Sequence, residues 1–219
     1  QTARGTGGYL VQRGDTLFSI AWKHGLDYQT VAAWNRIPPP YTIYPGQRIQ
    51  LRPPAAAKVR PHTPPPADVR AQPPPTVAKR APYLQEHESS ASLPDAMPVW
   101  QWPASGPILR RFDGSASGKK GISIGGTHGS QVRAAAPGQV VYAGSGLVGY
   151  GRLIIIKHND NYLSAYGHNR HLLVNEGDAV RSGQVIAEMG SSGTNRIQLH
   201  FEIRRKGKPV DPLRYLPRR

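Results

Sequence analysis

Cysteine is missing from the 219-residue sequence, which excludes a disulfide framework, thiolate metal sites and thiol nucleophiles, and leaves the compartment open. No run of about eighteen apolar residues occurs, so no membrane-spanning helix is expected. Acidic residues are scarce, 13 against 28 Lys plus Arg, for a net charge of +15. A chain this basic adheres to polyanions such as nucleic acid, anionic lipid or anionic cell-wall polymer. No helix concentrates the basic residues and no strand interleaves them with aromatics, so a dedicated nucleic-acid role is not expected. Aromatics make up only 8%, against 24 glycines and 22 prolines; this composition predicts short strands, many turns and at least one unstructured segment. The chain opens at Gln1 without a signal peptide, as a mature chain also would.

From Gly8 to Leu51 the sequence reads as a small α+β unit. Tyr9–Val11 is a short strand. Asp15 or Thr16 can cap a helix with Leu17, Ile20 and Ala21 on one side. A second helix is expected over Tyr28–Asn35, and Pro45–Gly46 turns into a closing strand with Ile49 and Leu51 inward. The Gly14-Asp15-Thr16-Leu17 opening, Asn35 and the Pro45-Gly46-Gln47 exit resemble a LysM module. The resemblance implies binding to N-acetylglucosamine-containing glycan, with a shallow groove formed by Gly14, Asp15 and Thr16 and by the 38–43 loop with Pro39, Tyr41 and Ile43. Asp15 and Thr16 also have a plainer reading as a helix cap.

Residues 53–98 hold 12 of the 22 prolines, counted from Arg52, including triplets at Pro64–Pro66 and Pro73–Pro75. This composition favours an extended, solvated chain, a disordered linker able to hold two modules on the order of 100 Å apart. A role as a proline-motif ligand has no partner in view.

From residue 99 to 219 short apolar strands alternate with glycine-rich turns, and helical periodicity is nearly absent. The expectation is a mainly-β domain of sandwich or barrel type. Ile197–Ile203 alternates apolar and polar residues, which puts Gln198 and His200 on one face of a strand, about 7 Å apart. The segments Gly138–Gly144, Tyr150-Gly151, Tyr166-Gly167-His168 and Leu199-His200-Phe201-Glu202 resemble the LytM (lysostaphin-type) zinc endopeptidases. Active members carry His-x-Gly-x-Asp, a catalytic histidine in a Tyr-x-His strand, and a His-x-His strand. By that resemblance Lys119 stands at the first ligand position and Ser123 at the aspartate. His168 and Gln198 occupy the two catalytic positions, and His200 the remaining ligand position.

Catalytic zinc takes about three ligands from His, Cys, Asp or Glu and leaves one position open for water. Lys119 is a cation at pH 7, Ser123 is a poor neutral ligand, and Gln198 cannot shuttle a proton. The expectation is a domain that is not an enzyme, binds no metal and needs no cofactor. Lys119, Ser123, His168, Gln198 and His200 would then be groove residues for a partner. His128 and His158, and His171 in a probable loop, read as surface or structural residues. From Val99 onward Lys plus Arg number 17 and Asp plus Glu 7, so an acidic partner surface or an anionic glycan is the expected counterpart.

LysM, proline-rich spacer and degenerate LytM domain together resemble the NlpD-type murein hydrolase activators. That resemblance implies an outer-membrane lipoprotein facing the periplasm and anchored through a lipid-bearing cysteine not in this sequence. It also implies peptidoglycan binding and stimulation of N-acetylmuramoyl-L-alanine amidases during daughter-cell separation, by displacing an autoinhibitory helix from the amidase's zinc site. Two other readings stand beside it: an active zinc endopeptidase with unusual ligands, and a purely structural cell-wall-binding protein.

Overall fold

The computed structural model describes residues 8–53, 96–115 and 120–219. Lys119 and nearly all of the proline-rich segment lie outside the described residues. The first module runs β1 (Gly8–Leu10), α1 (Leu17–His24), α2 (Tyr28–Asn35) and β2 (Arg48–Gln50). Thr16 starts α1 with a reciprocal cap: its hydroxyl accepts from the Ser19 N–H at 3.0 Å, and the Ser19 hydroxyl accepts from the Thr16 N–H at 3.0 Å. Gly25, left-handed at φ 66°, ends the helix. Asp27 caps α2 by accepting from the Thr30 N–H. β1 and β2 pair antiparallel, Tyr9 opposite Ile49, over a core of Leu17, Ile20, Val31 and Ile49.

The second module is one antiparallel sheet system of ten strands. They are β3 (Ile108–Arg110), β4 (Ile122–Gly125), β5 (Gln131–Arg133), β6 (Gly138–Gly144), β7 (Arg152–Lys157), β8 (Tyr162–Leu172), β9 (Ala179–Val180), β10 (Val185–Met189), β11 (Gln198–Arg205) and β12 (Lys208–Val210). The main path is β3-β4-β11-β8-β7-β6-β9, with β12 beside β11 and β10 joining the far end of β8 to β5. The mainly-β expectation holds. His171 lies within β8 opposite Glu188 of β10, not in a loop; β8 keeps pairing for 11 residues because β10 takes over where β7 and β11 leave it. Among the described residues, no helix is long and apolar enough to cross a membrane.

The run Leu153-Ile154-Ile155-Ile156 is apolar on both faces, and all four side chains are fully buried. A strand with no polar face is buried on both sides. Inward, Ile154 and Ile156 join Ile122, Tyr166, Phe201 and Ile203. Outward, Leu153 and Ile155 join Val141, Leu163 and Ala165 in a cluster shared with Leu17, Ile20, Trp22 and Tyr28 of the first module. Each such side chain contributes about 1.5–3 kcal/mol on burial. The two modules are therefore not held about 100 Å apart: they fall in one compact unit and share a core.

Polar contacts fix how the modules meet. The Thr16 hydroxyl donates to the Val141 carbonyl at 3.3 Å. The Tyr28 hydroxyl donates to Asp160, which also pairs with Lys157 at 2.8 Å. The Gly207 turn, at φ 73°, lies so close to the first module that a Cβ there would stand 2.4 Å from the Asp27 nitrogen.

Candidate functional site

β11 carries Gln198, His200, Glu202 and Arg204 on one face. An alternating strand normally turns its polar face to water, yet all four are buried. The reason lies at the Arg204 end. Its Nε donates to Glu202 at 2.7 Å, its Nη1 donates to the Trp22 carbonyl in the last turn of α1 at 2.7 Å, and its guanidinium carbon sits 3.6 Å from the Trp22 ring centre. The cation thus meets the negative end of a helix, a carboxylate and an aromatic face at once.

Glu202 is the hub beneath the groove. It accepts from Tyr150 Oη at 3.1 Å and faces His200 Nε2 at 3.4 Å. Burial pushes its carboxyl pKa up, but the charge of Arg204 and the hydrogen bond with His200 outweigh that and hold it below the ordinary value. Burial, with Glu202 adding to it, pushes the Tyr150 phenol up to about 12.

His168 enters from β8 through a backbone irregularity: its φ is +66°, unusual for a residue with a side chain. Its ring is 6.1 Å from that of His200, and its Nδ1 donates to the Ser192 carbonyl at 2.8 Å. Burial lowers its pKa, and His200 and Arg110 lower it further. On the other side of β11, Gly121 permits close approach: a Cβ there would lie 2.4 Å from the Phe201 carbonyl and 2.9 Å from the His200 ring.

The resulting cavity, about 420 Å³, brings His168, Gln198 and His200 together on its walls. Ser123 stands opposite His200 in the β4–β11 ladder, but it is fully buried, its hydroxyl has no hydrogen-bond partner among the described residues, and it does not line the cavity. The walls also include residues that sequence reasoning missed: Trp22, Lys23, Arg110, Lys120, Tyr150 and Arg204. Glu202 and Arg204 could have been found from the period-2 spacing that picked out Gln198 and His200. Arg110 could not, because it reaches the groove through cross-strand register, opposite Ser123.

The zinc of this fold does not suit these residues. Among the described residues, no three His, Cys, Asp or Glu side chains are grouped so as to hold a metal. His200 already faces Glu202, Gln198 is a neutral amide, and the cation of Arg110 acts on His168 from within the groove. The walls carry cations and imidazoles, with no carboxylate among the described lining residues.

In the first module Asp15 accepts from Tyr9 Oη and the Gln12 N–H, both at 2.8 Å, which shapes the turn at Gly14. Thr16 is the α1 cap. Tyr41 packs edge-on against Phe18 and Tyr28, Ile43 is half-buried beside them, and Pro39 is exposed.

The LysM domain family matches residues 9–52 and Peptidase family M23 matches residues 117–212. A lipoprotein NlpD/LppB homolog of Pseudomonas aeruginosa is 53% identical, the match covering 98% of this chain and 78% of that one. The murein hydrolase activator NlpD of Salmonella dublin is 40% identical, over 98% of this chain and 70% of its own. Among solved structures, a zinc-containing peptidase from Vibrio cholerae aligns with a TM-score of 0.50 at 25% identity, over 52% of this chain and 39% of that one. Identity of this extent, running through both domains and the segment between them, means that the chain belongs to the NlpD family.

Proposed function

We propose that this protein is a non-catalytic murein hydrolase activator. Its LysM module binds peptidoglycan strands, and its groove engages a periplasmic N-acetylmuramoyl-L-alanine amidase that splits septal wall during daughter-cell separation. The full-length protein is an outer-membrane lipoprotein facing the periplasm. The observation that carries the reading is the groove itself, which keeps the cleft of a peptidase but sets Arg110 and Lys120 on its walls with His168 and His200. Such a cleft holds an extended segment and cannot prepare a water for attack on an amide.

Activation needs only differential binding. If the amidase exists in a self-blocked and an open form, docking of the blocking helix region on the groove favours the open one. A preference of a few kcal/mol shifts the population by roughly tenfold to a thousandfold.

The test is analysis of the bonds cut in purified sacculi. With the chain and zinc alone, no bond is cut. With an amidase added, the bond between N-acetylmuramic acid and L-alanine is cut faster than by the amidase alone. Peptide-bond cleavage by the chain alone, with zinc bound at one ion per chain, would favour the endopeptidase reading instead. Binding to sacculi without any stimulation would favour a purely structural role.

A further inference from the structure

The groove is not a property of the second module alone. Helix α1 closes one side of it: Trp22 and Lys23 line the same cavity as His168, Gln198 and His200. Trp22 is 2% exposed and held by Arg204, so the position of this wall is fixed from within. Lys23, next along the helix, is exposed. It lines the same cavity as Arg110 and Lys120, and among the described residues no Asp or Glu lines the space. The carboxylate beneath, Glu202, is already engaged by Arg204, Tyr150 and His200. Arg110 and Lys120 are thus left facing an open space that Lys23 also lines, its ammonium 5.2 Å from the Tyr9 ring centre, and the buried Nε of Arg110 has no acceptor among the described residues. Beside them Val148, 95% exposed, offers an apolar contact on the rim.

We propose that the glycan-binding module forms part of the partner site: Lys23 on α1, together with Arg110 and Lys120, receives carboxylates of an acidic segment of the partner hydrolase whose apolar residue rests on Val148. The proposal rests on the activator reading and adds that recognition needs both modules. Charge on the wall sets the rate of encounter and the register of the segment, and the exposed valine sets its depth. An acidic protein segment is favoured over a glycan because a sugar strand brings no apolar side chain for Val148.

The test uses the full chain and a purified periplasmic amidase, with the dissociation constant measured by calorimetry at low and high salt. Lys23→Glu replaces an exposed side chain in the last turn of α1 and lowers the thermal midpoint by only a few degrees, but weakens amidase binding by about tenfold or more at low salt, less at high salt. Val148→Asp weakens it as well. Arg181→Glu, an exposed charge on a turn outside the cavity lining, binds as the unmodified chain does. Equal affinity of Lys23→Glu and the unmodified chain overturns the composite wall while leaving the activator reading intact. No binding by the unmodified chain overturns the activator reading, and the composite wall with it. Displacement of the amidase by soluble muropeptides in a Lys23-dependent manner assigns the cations to stem-peptide carboxylates and overturns the choice of a protein segment.

Discussion

Arg204, next to last in β11, stacks its guanidinium 3.6 Å from the ring centre of Trp22, in the last turn of α1, and bonds that residue's carbonyl. The two residues are 182 positions apart and come from different modules. A buried cation in this setting depends on every partner it has, because removing one leaves charge without water or acceptor.

Arg204→Ala leaves Glu202 buried with its chief counter-charge gone, and should lower the unfolding free energy by about 3–5 kcal/mol. Arg204→Met, which keeps the packing volume, should lower it too, since Glu202 still loses its ion pair. A double-mutant cycle with Trp22→Leu should return a coupling of about 1–2 kcal/mol. Denaturant unfolding checks this; additive effects would mean that the two side chains do not stabilise each other.

Gly207 reports on the same seam without touching charge. Alanine there meets both a positive φ and the Asp27 backbone at 2.4 Å, whereas Gly177 has a positive φ with open space around it. Gly177→Ala should cost about 1–2 kcal/mol from backbone conformation alone. Gly207→Ala should cost distinctly more, because the Asp27 backbone must also move. Equal costs would place the first module away from this turn.

His158 gives a pH dependence. Its Nδ1 donates to the Pro137 carbonyl and its Nε2 accepts from the Ser164 hydroxyl, both at 2.7 Å, which fixes the neutral tautomer. Burial pushes its pKa down to about 4 from the model-compound 6.5. The unfolded chain therefore takes up a proton at higher pH than the folded one. The stability this residue confers is present in full above about pH 6.5 and is lost as pH falls toward 4. The change is on the order of 3 kcal/mol. A neutral replacement, His158→Gln, should flatten the stability profile between those limits; an unchanged slope would assign it to other groups.

Restoring a carboxylate does not restore a metal site. Ser123→Asp places an acid on the strand pair that carries Arg110, where the guanidinium opposes it in register. It should pair with Arg110, and zinc content measured after dialysis should stay well below one ion per chain. Full zinc occupancy in this variant would mean that the groove cations do not exclude the ion.

Much of this was legible in the sequence. Thr16 and Gly25 bound α1, and Asp27 bounds α2, because capping is local chemistry. The strands carrying His168 and His200 follow from period-2 patterning. The spacer reading was not a guide to module placement, although the signal for contact was present: Leu153 to Ile156 has no polar face, so something must cover its outer side. β5 and β12 are three residues each and too short to leave a pattern. Arg110 becomes a groove residue only through pairing across β4, a long-range relation that no local motif encodes.

The rate of dye release from labelled sacculi by a periplasmic amidase tests most directly whether the groove is a docking site. The full chain should raise that rate several-fold while releasing no dye itself, and Arg110→Glu, which reverses a groove charge, should abolish the increase. Dye release by the chain without amidase, or full stimulation by Arg110→Glu, would contradict it.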